Sequence, residues 1–119
     1  MKIAVIGTGY VGLVTGTCLA ETGNIVSCID IDANKIARLN KGEVPIYEPQ
    51  LDAYFERNMK AQRLIFTTSL IDGIKDAEVI FLALPTPPGE DGSADLSYIL
   101  RVAEQLGSMI EKYTIIVDK

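Results

Sequence analysis

The sequence predicts an α/β domain built on a doubly wound parallel sheet of strand order 3-2-1-4-5, and three observations predict it. Apolar runs of five to seven residues alternate with helical patterns along the chain, the signature of βαβ units. The run from Glu78 to Leu84 is continuously apolar after its first residue, as a strand covered on both faces must be. Between the first strand and the first helix stands Gly7-Thr8-Gly9-Tyr10-Val11-Gly12, a GxGxxG spacing in strand-to-helix context.

The first strand is Lys2-Ile3-Ala4-Val5-Ile6, and the glycines after it each answer a steric need. Gly7 lets the chain leave the strand through a turn closed to side chains. Gly9 removes a Cβ where a pyrophosphate approaches the backbone, and Gly12 lets the helix over Leu13 to Glu21 pack close to the strand. That helix begins with unpaired amides and a partial positive charge. Backbone would therefore hold the phosphates, since no basic residue lies between Ile3 and Asn34. The second strand, Ile25 to Ile29, ends in Asp30, eighteen residues after Gly12. There the Rossmann-type dinucleotide fingerprint places an acid that accepts hydrogen bonds from the adenosine ribose. A glycine-rich turn with a capping aspartate is the rival reading, and the strand-loop-helix-strand context weighs against it. Asp30 also favours NAD over NADP, because a 2′-phosphate about 4 Å from a carboxylate costs on the order of 4 kcal/mol at an effective dielectric of about 20. Lys35 and Arg38 offer that phosphate partial relief.

Asp32 caps a short helix that runs to Asn40, with Gly42 as its C-cap and Ile36, Ala37 and Leu39 on its apolar face. Lys35, in the first turn, opposes the helix dipole; either it contacts the adenosine ribose or a phosphate, or it is an ordinary solvated lysine. Glu43 to Leu51 is a loop stiffened by Pro45 and Pro49. The helix after it, Leu51 to Ala61, carries an apolar stripe of Leu51, Tyr54, Phe55 and Met59. Leu64 to Thr68 is a third strand, and Ser69 caps a short helix through Ile74. The fourth strand, Glu78 to Leu84, ends at Pro85-Thr86-Pro87-Pro88-Gly89, a stiff loop in which Thr86 offers a hydroxyl to a ligand. Gly7, Asp30 and Thr86 then share the carboxyl edge of the sheet, where ligands gather in open α/β folds. Glu90 to Ala94 is an acidic turn and Asp95 a helix cap. The helix it opens turns Leu96, Ile99, Leu100, Ala103, Leu106 and Ile110 to the core. Tyr113 to Val117 is the fifth strand, reached like the others by right-handed crossovers. The chain stops two residues later, so an excised piece of a longer protein, with the sheet truncated at its C-terminal end, is expected.

With 119 residues, 48% of them hydrophobic, the chain is expected to form one globular domain with a core of its own. A net charge of −5 with no basic cluster argues against nucleic acid or an anionic membrane as partner. No apolar stretch reaches the roughly 18 residues of a spanning helix and no leader precedes the first strand, which leads to a cytoplasmic reading. Cys18 and Cys28 read as buried thiols with no metal-binding spacing, and neither is a candidate nucleophile. The chain has no histidine, so the commonest general base is missing and no catalytic residue or metal site is assigned.

Six stretches together resemble the N-terminal domain of the UDP-glucose/GDP-mannose dehydrogenase family. They are Gly7 to Leu13, Asp30-Ile31-Asp32 with Lys35, Pro45-Ile46-Tyr47-Glu48-Pro49, Pro85-Thr86-Pro87, Ala94 to Tyr98, and Val117-Asp118-Lys119. The segment around Tyr47-Glu48 is the most specific, because a dinucleotide fold does not itself need it. The resemblance implies an enzyme that oxidises the C6 hydroxyl of a nucleotide sugar, UDP-glucose foremost, to a carboxylate. It does so in two hydride transfers to NAD through a cysteine thioester. It further implies that Gly7, Gly9, Tyr10, Val11 and Gly12 hold the pyrophosphate, Asp30 and Lys35 the adenosine ribose, and Thr86 the nicotinamide-side ribose or phosphate. The family's catalytic threonine, glutamate, lysine, asparagine and cysteine would follow Lys119, so these 119 residues alone are expected to be inactive and the longer protein to form a homo-oligomer. One departure lies inside the matched region, where Gln50 follows Pro49 in place of the family's usual glycine. Two alternatives stay open: another NAD-dependent dehydrogenase, of hydroxy-acid or hydroxyacyl-CoA type, and a non-catalytic NAD-sensing module.

Overall fold

Residues Lys2–Ile6 form β1, and their alternation sets the layers: Ile3 and Val5 enter one core, Ala4 and Ile6 the other. A computed structural model describes residues 1–85 and 97–118. After β1 come α1 (Tyr10–Glu21), β2 (Ile25–Ile29), α2 (Ala33–Asn40), α3 (Leu51–Lys60), β3 (Leu64–Thr67), α4 (Leu70–Ile74), β4 (Val79–Leu82), α5 (Ser97–Met109) and β5 (Ile115–Asp118). The strands pair in parallel in the order β3-β2-β1-β4-β5, as expected.

While Ile65 on β3 and Ile115 and Ile116 on β5 stay exposed, both faces of the central strands are covered. On one, α1, α2 and α3 bring Leu13, Ala20, Ile36, Leu39 and Phe55 against Val5, Val26, Cys28, Leu64 and Phe66; the Phe55 and Phe66 rings stack with centroids 5.5 Å apart. On the other, α4 and α5 bring Ile74, Val102 and Leu106 against Ala4, Ile6, Ile29, Ile80 and Leu82. This two-sided burial is why the strands read as continuous apolar runs. The hydrogen-bond ladder persists one residue past the strands. Gly7 N–H donates to the Ile29 carbonyl at 2.7 Å, Ala83 N–H to Ile6 at 2.8 Å and Asp30 N–H to Thr67 at 3.2 Å. The turns after β1, β2 and β4 therefore leave at one edge of the sheet.

Several boundaries differ from expectation for local reasons. Helix α1 starts at Tyr10 rather than Leu13, with Gly9 as N-cap, so the second half of the glycine motif is already helical. Strand β4 is shorter than the apolar run at both ends, and β5 starts at Ile115 because Tyr113, 89% exposed, stays outside the ladder. In α2 the cap residue is Lys41; Gly42 follows it at φ +91°. Of the expected core residues of α5, Leu106 and, just past its end, Ile110 do face the sheet, but the rest of the buried stripe differs from expectation. Val102 and Leu106 are buried and Tyr98 and Met109 pack beside them, whereas Leu100 and Ala103 face outward. Cys18 is also a correction: it lies on the outward face of α1, which buries Leu13, Gly16, Thr17 and Ala20 instead, so only Cys28 is the expected buried thiol. The expectations for Thr86, the Glu90 to Ala94 turn, the Asp95 cap and Leu96 lie outside the described residues.

Gln50 takes a backbone conformation that favours glycine. It is the N-cap of α3 at φ 68°, ψ −4°, in the left-handed region where glycine sits without strain. Its side-chain Oε1 accepts a hydrogen bond from the Tyr54 hydroxyl at 2.8 Å, which ties the strained turn to the helix it opens.

Candidate functional site

The three turns at the carboxyl edge enclose a cleft of about 630 Å³, within the size range of small-molecule sites. The glycine loop forms its floor. Gly7 has φ +107°, and a Cβ there would overlap the Ala83 carbonyl; a Cβ on Gly12 would overlap the Gly7 carbonyl. These two glycines thus let β1, α1 and the end of β4 approach one another. Gly9 differs: its φ is −73° and a Cβ would meet nothing within 4 Å. The space over Gly9 is open, and as N-cap it has no side chain to satisfy the first-turn amides of α1. An anion fits there on backbone donors and helix dipole alone.

Across the loop, Asp30 is held by its neighbours. Its Oδ2 accepts from the Thr8 hydroxyl at 2.7 Å and the Thr8 amide at 3.0 Å, and its Oδ1 accepts from the Asp32 amide at 3.0 Å. Lys35 Nζ stands 3.8 Å from Oδ2. Burial pushes the Asp30 carboxyl up, but the hydrogen bonds from Thr8 and Asp32 and the Lys35 ammonium outweigh it, so Asp30 sits below the usual carboxylate value and is ionised at neutral pH. A carboxylate offers about four acceptor positions. Three are taken by protein donors, which leaves Oδ1 free to accept from one further hydroxyl. Thr8, buried to 1% exposure, is the residue that sequence reasoning missed; its place between two glycines of the motif was the available signal.

Of the predicted site residues, Gly7, Gly9, Tyr10, Val11, Asp30 and Lys35 line the cleft, whereas Gly12 is turned into packing beneath it and Thr86 lies outside the described residues, one position beyond the lining residue Pro85. The opposite wall comes from α5, whose Tyr98, Val102 and Gln105 the sequence did not assign to the site. Burial, followed by the charge of Asp30, pushes the Tyr98 hydroxyl up, which marks that carboxylate as its electrostatic neighbour across the cleft. Ile31, 72% exposed beside Asp30, adds an apolar platform. The donor set of open amides, one spare carboxylate position and apolar walls fits a dinucleotide. Among the described residues no group of three or more metal-ligating side chains converges, and no helix is long and apolar enough to cross a membrane.

Comparison with known proteins agrees with this geometry. Residues 1–119 match the family described as "UDP-glucose/GDP-mannose dehydrogenase family, NAD binding domain". The chain is 55% identical over its whole length to a UDP-glucose 6-dehydrogenase of Pseudomonas aeruginosa, and 49% identical over 99% of its length to the UDP-glucose 6-dehydrogenase TuaD of Bacillus subtilis; it spans 26% of each. Among solved structures, a UDP-glucose dehydrogenase from Pyrobaculum islandicum superposes with TM-score 0.92 and a GDP-mannose dehydrogenase from Pseudomonas aeruginosa with 0.91. Each is 34% identical, over 99% of this chain and 28% of the other.

Proposed function

The chain belongs to the UDP-glucose/GDP-mannose dehydrogenase family as its NAD-binding domain, and from that premise we propose that it is the cofactor half of a longer nucleotide-sugar dehydrogenase that oxidises UDP-glucose to UDP-glucuronate. The observation that carries the cofactor site is the Thr8–Asp30 clamp beside the open glycine loop. It puts an ionised carboxylate and the first-turn amides of α1 on one cleft, the pairing that a dinucleotide's ribose and pyrophosphate call for. NAD bound there supplies the hydride acceptor. The residues of this chain bind and orient it: the first-turn amides over Gly9 take the pyrophosphate, the spare Oδ1 position of Asp30 takes a ribose hydroxyl, and Lys35 stands beside it. Thr86 is proposed for the nicotinamide side.

The choice of UDP-glucose among nucleotide sugars rests on the 55% and 49% identity to UDP-glucose 6-dehydrogenases, because the fold superposes equally well on a GDP-mannose enzyme. The catalytic groups are proposed to come from the rest of the longer protein, which is read as a cytoplasmic homo-oligomer. An assay of that protein with UDP-glucose and with GDP-mannose, following NADH absorbance, tests the reading. Two NADH formed per UDP-glucose consumed, with no turnover by residues 1–119 alone, supports it. Preference for GDP-mannose, or one NADH per sugar, refutes it.

A further inference from the structure

The proline-bounded segment between α2 and α3 is the part of the chain that a dinucleotide fold does not itself call for, yet it holds a residue of the cofactor cleft. Tyr10, the first residue of α1 and part of the cleft lining, donates its hydroxyl hydrogen to Glu48 Oε2 at 2.6 Å, across thirty-eight residues of sequence. That length is typical of a charge-assisted O–H···O⁻ bond. Glu48 is offered from a firm base. Pro45 and Pro49 restrict the backbone on either side, Val44 and Ile46 pack against the core, and the Glu48 carbonyl accepts from the Leu51 amide at 3.0 Å. Among the described residues the two ion pairs are Lys35–Asp30 and Arg57–Glu21, so no cation draws Glu48 away. The hydrogen bond to Glu48 foremost raises the Tyr10 hydroxyl above its ordinary pKa, which agrees with a proton kept on the tyrosine.

We propose that Glu48 is a positioning residue of the cofactor site, which acts through Tyr10 to hold that ring at the mouth of the glycine loop and so raises affinity for the dinucleotide. The proposal rests on the cofactor reading above. Tyr10 is 53% exposed at a helix end, and without Glu48 its rotamers would have to be frozen each time a ligand entered. The role needs an acceptor at position 48, not a charge. A carboxylate near a pyrophosphate subsite is electrostatically a burden, so the neutral amide serves as well.

Calorimetric titration with NAD of the 119-residue chain and four variants tests this, each variant first shown to keep the parent's thermal midpoint. Glu48→Ala and Tyr10→Phe are each expected to weaken binding about two- to tenfold, the cost of ordering one side chain. The double variant is expected to bind no worse than either single one, and Glu48→Gln to restore parental affinity. Parental affinity in Glu48→Ala, additive losses in the double variant, or failure of Glu48→Gln to restore binding overturns the positioning role while leaving the cofactor reading intact. A folded parent that binds no NAD contradicts the cofactor reading, and the positioning role falls with it.

Discussion

Gly9 and Gly12 occupy equivalent-looking positions in one motif, and the structure gives them opposite duties. A Cβ at Gly12 has nowhere to go but into the Gly7 carbonyl, whereas one at Gly9 enters open space. Gly12→Ala is therefore expected to destabilise the fold by about 3 kcal/mol in urea unfolding. Gly9→Ala should stay within about 0.5 kcal/mol of the parent yet lose tenfold or more in NAD affinity by calorimetry, because its methyl group occupies the phosphate approach. Asp30 carries a signature in pH. Its carboxyl is depressed in the folded state, so its ionised form stabilises the fold fully above the unfolded value of about 3.9, and that contribution is lost as pH falls through the lower folded value. The stability gap between the parent and Asp30→Asn, measured by denaturation, should be widest near neutrality and close below about pH 4. The spacing pointed to Asp30, but the Thr8 hydrogen bonds that hold it depend on the turn geometry at Gly7, which a motif does not display.

The helices show where periodicity suffices and where it fails. Strands β1 and β2 and the N-terminal ends of α2 and α4 were legible because pattern and N-cap agreed: Asp32 accepts from the Lys35 amide at 3.1 Å and Ser69 from the Asp72 amide at 3.3 Å. Which residues join Leu106 and Ile110 on the core side of α5 was not legible, since Leu100 and Val102 are equally apolar and only the sheet beneath decides which is buried. Helix α3 hides a polar tie that no apolar pattern announces. Asn58, fully buried, donates to Glu21 Oε1 at 2.9 Å and to the Tyr54 carbonyl at 2.8 Å and accepts from Arg63 Nε at 3.0 Å, while Arg57 binds both oxygens of Glu21. This network fastens α3 to α1, the helix that presents the glycine loop. Asn58→Leu removes a buried amide from three half-buried partners at once and should cost about 2 kcal/mol. Thr17 is the contrary case on α1. Its buried hydroxyl has no hydrogen-bond partner among the described residues, so Thr17→Val should gain about 1 kcal/mol in the same unfolding experiment.

In the molecule as a whole, two-sided burial of the central strands leaves one edge of the sheet for chemistry, and the turns at that edge collect the glycine loop, Asp30 and the wall of α5. The strand order was readable because alternating strands and helices with right-handed crossovers admit few arrangements. The α5 wall was not readable, because Tyr98 and Gln105 reach the cleft only through the way the chain packs between β4 and β5. The central claim is that this edge binds NAD by backbone amides and a fixed carboxylate. Calorimetric titration of the folded chain with NAD and with NADP at one salt concentration tests it most directly. The account predicts saturable NAD binding with NADP at least tenfold weaker, a difference of about 1.4 kcal/mol or more, since a 2′-phosphate would face Asp30. Equal affinity for the two, or no binding of NAD by a chain shown to be folded, would contradict it.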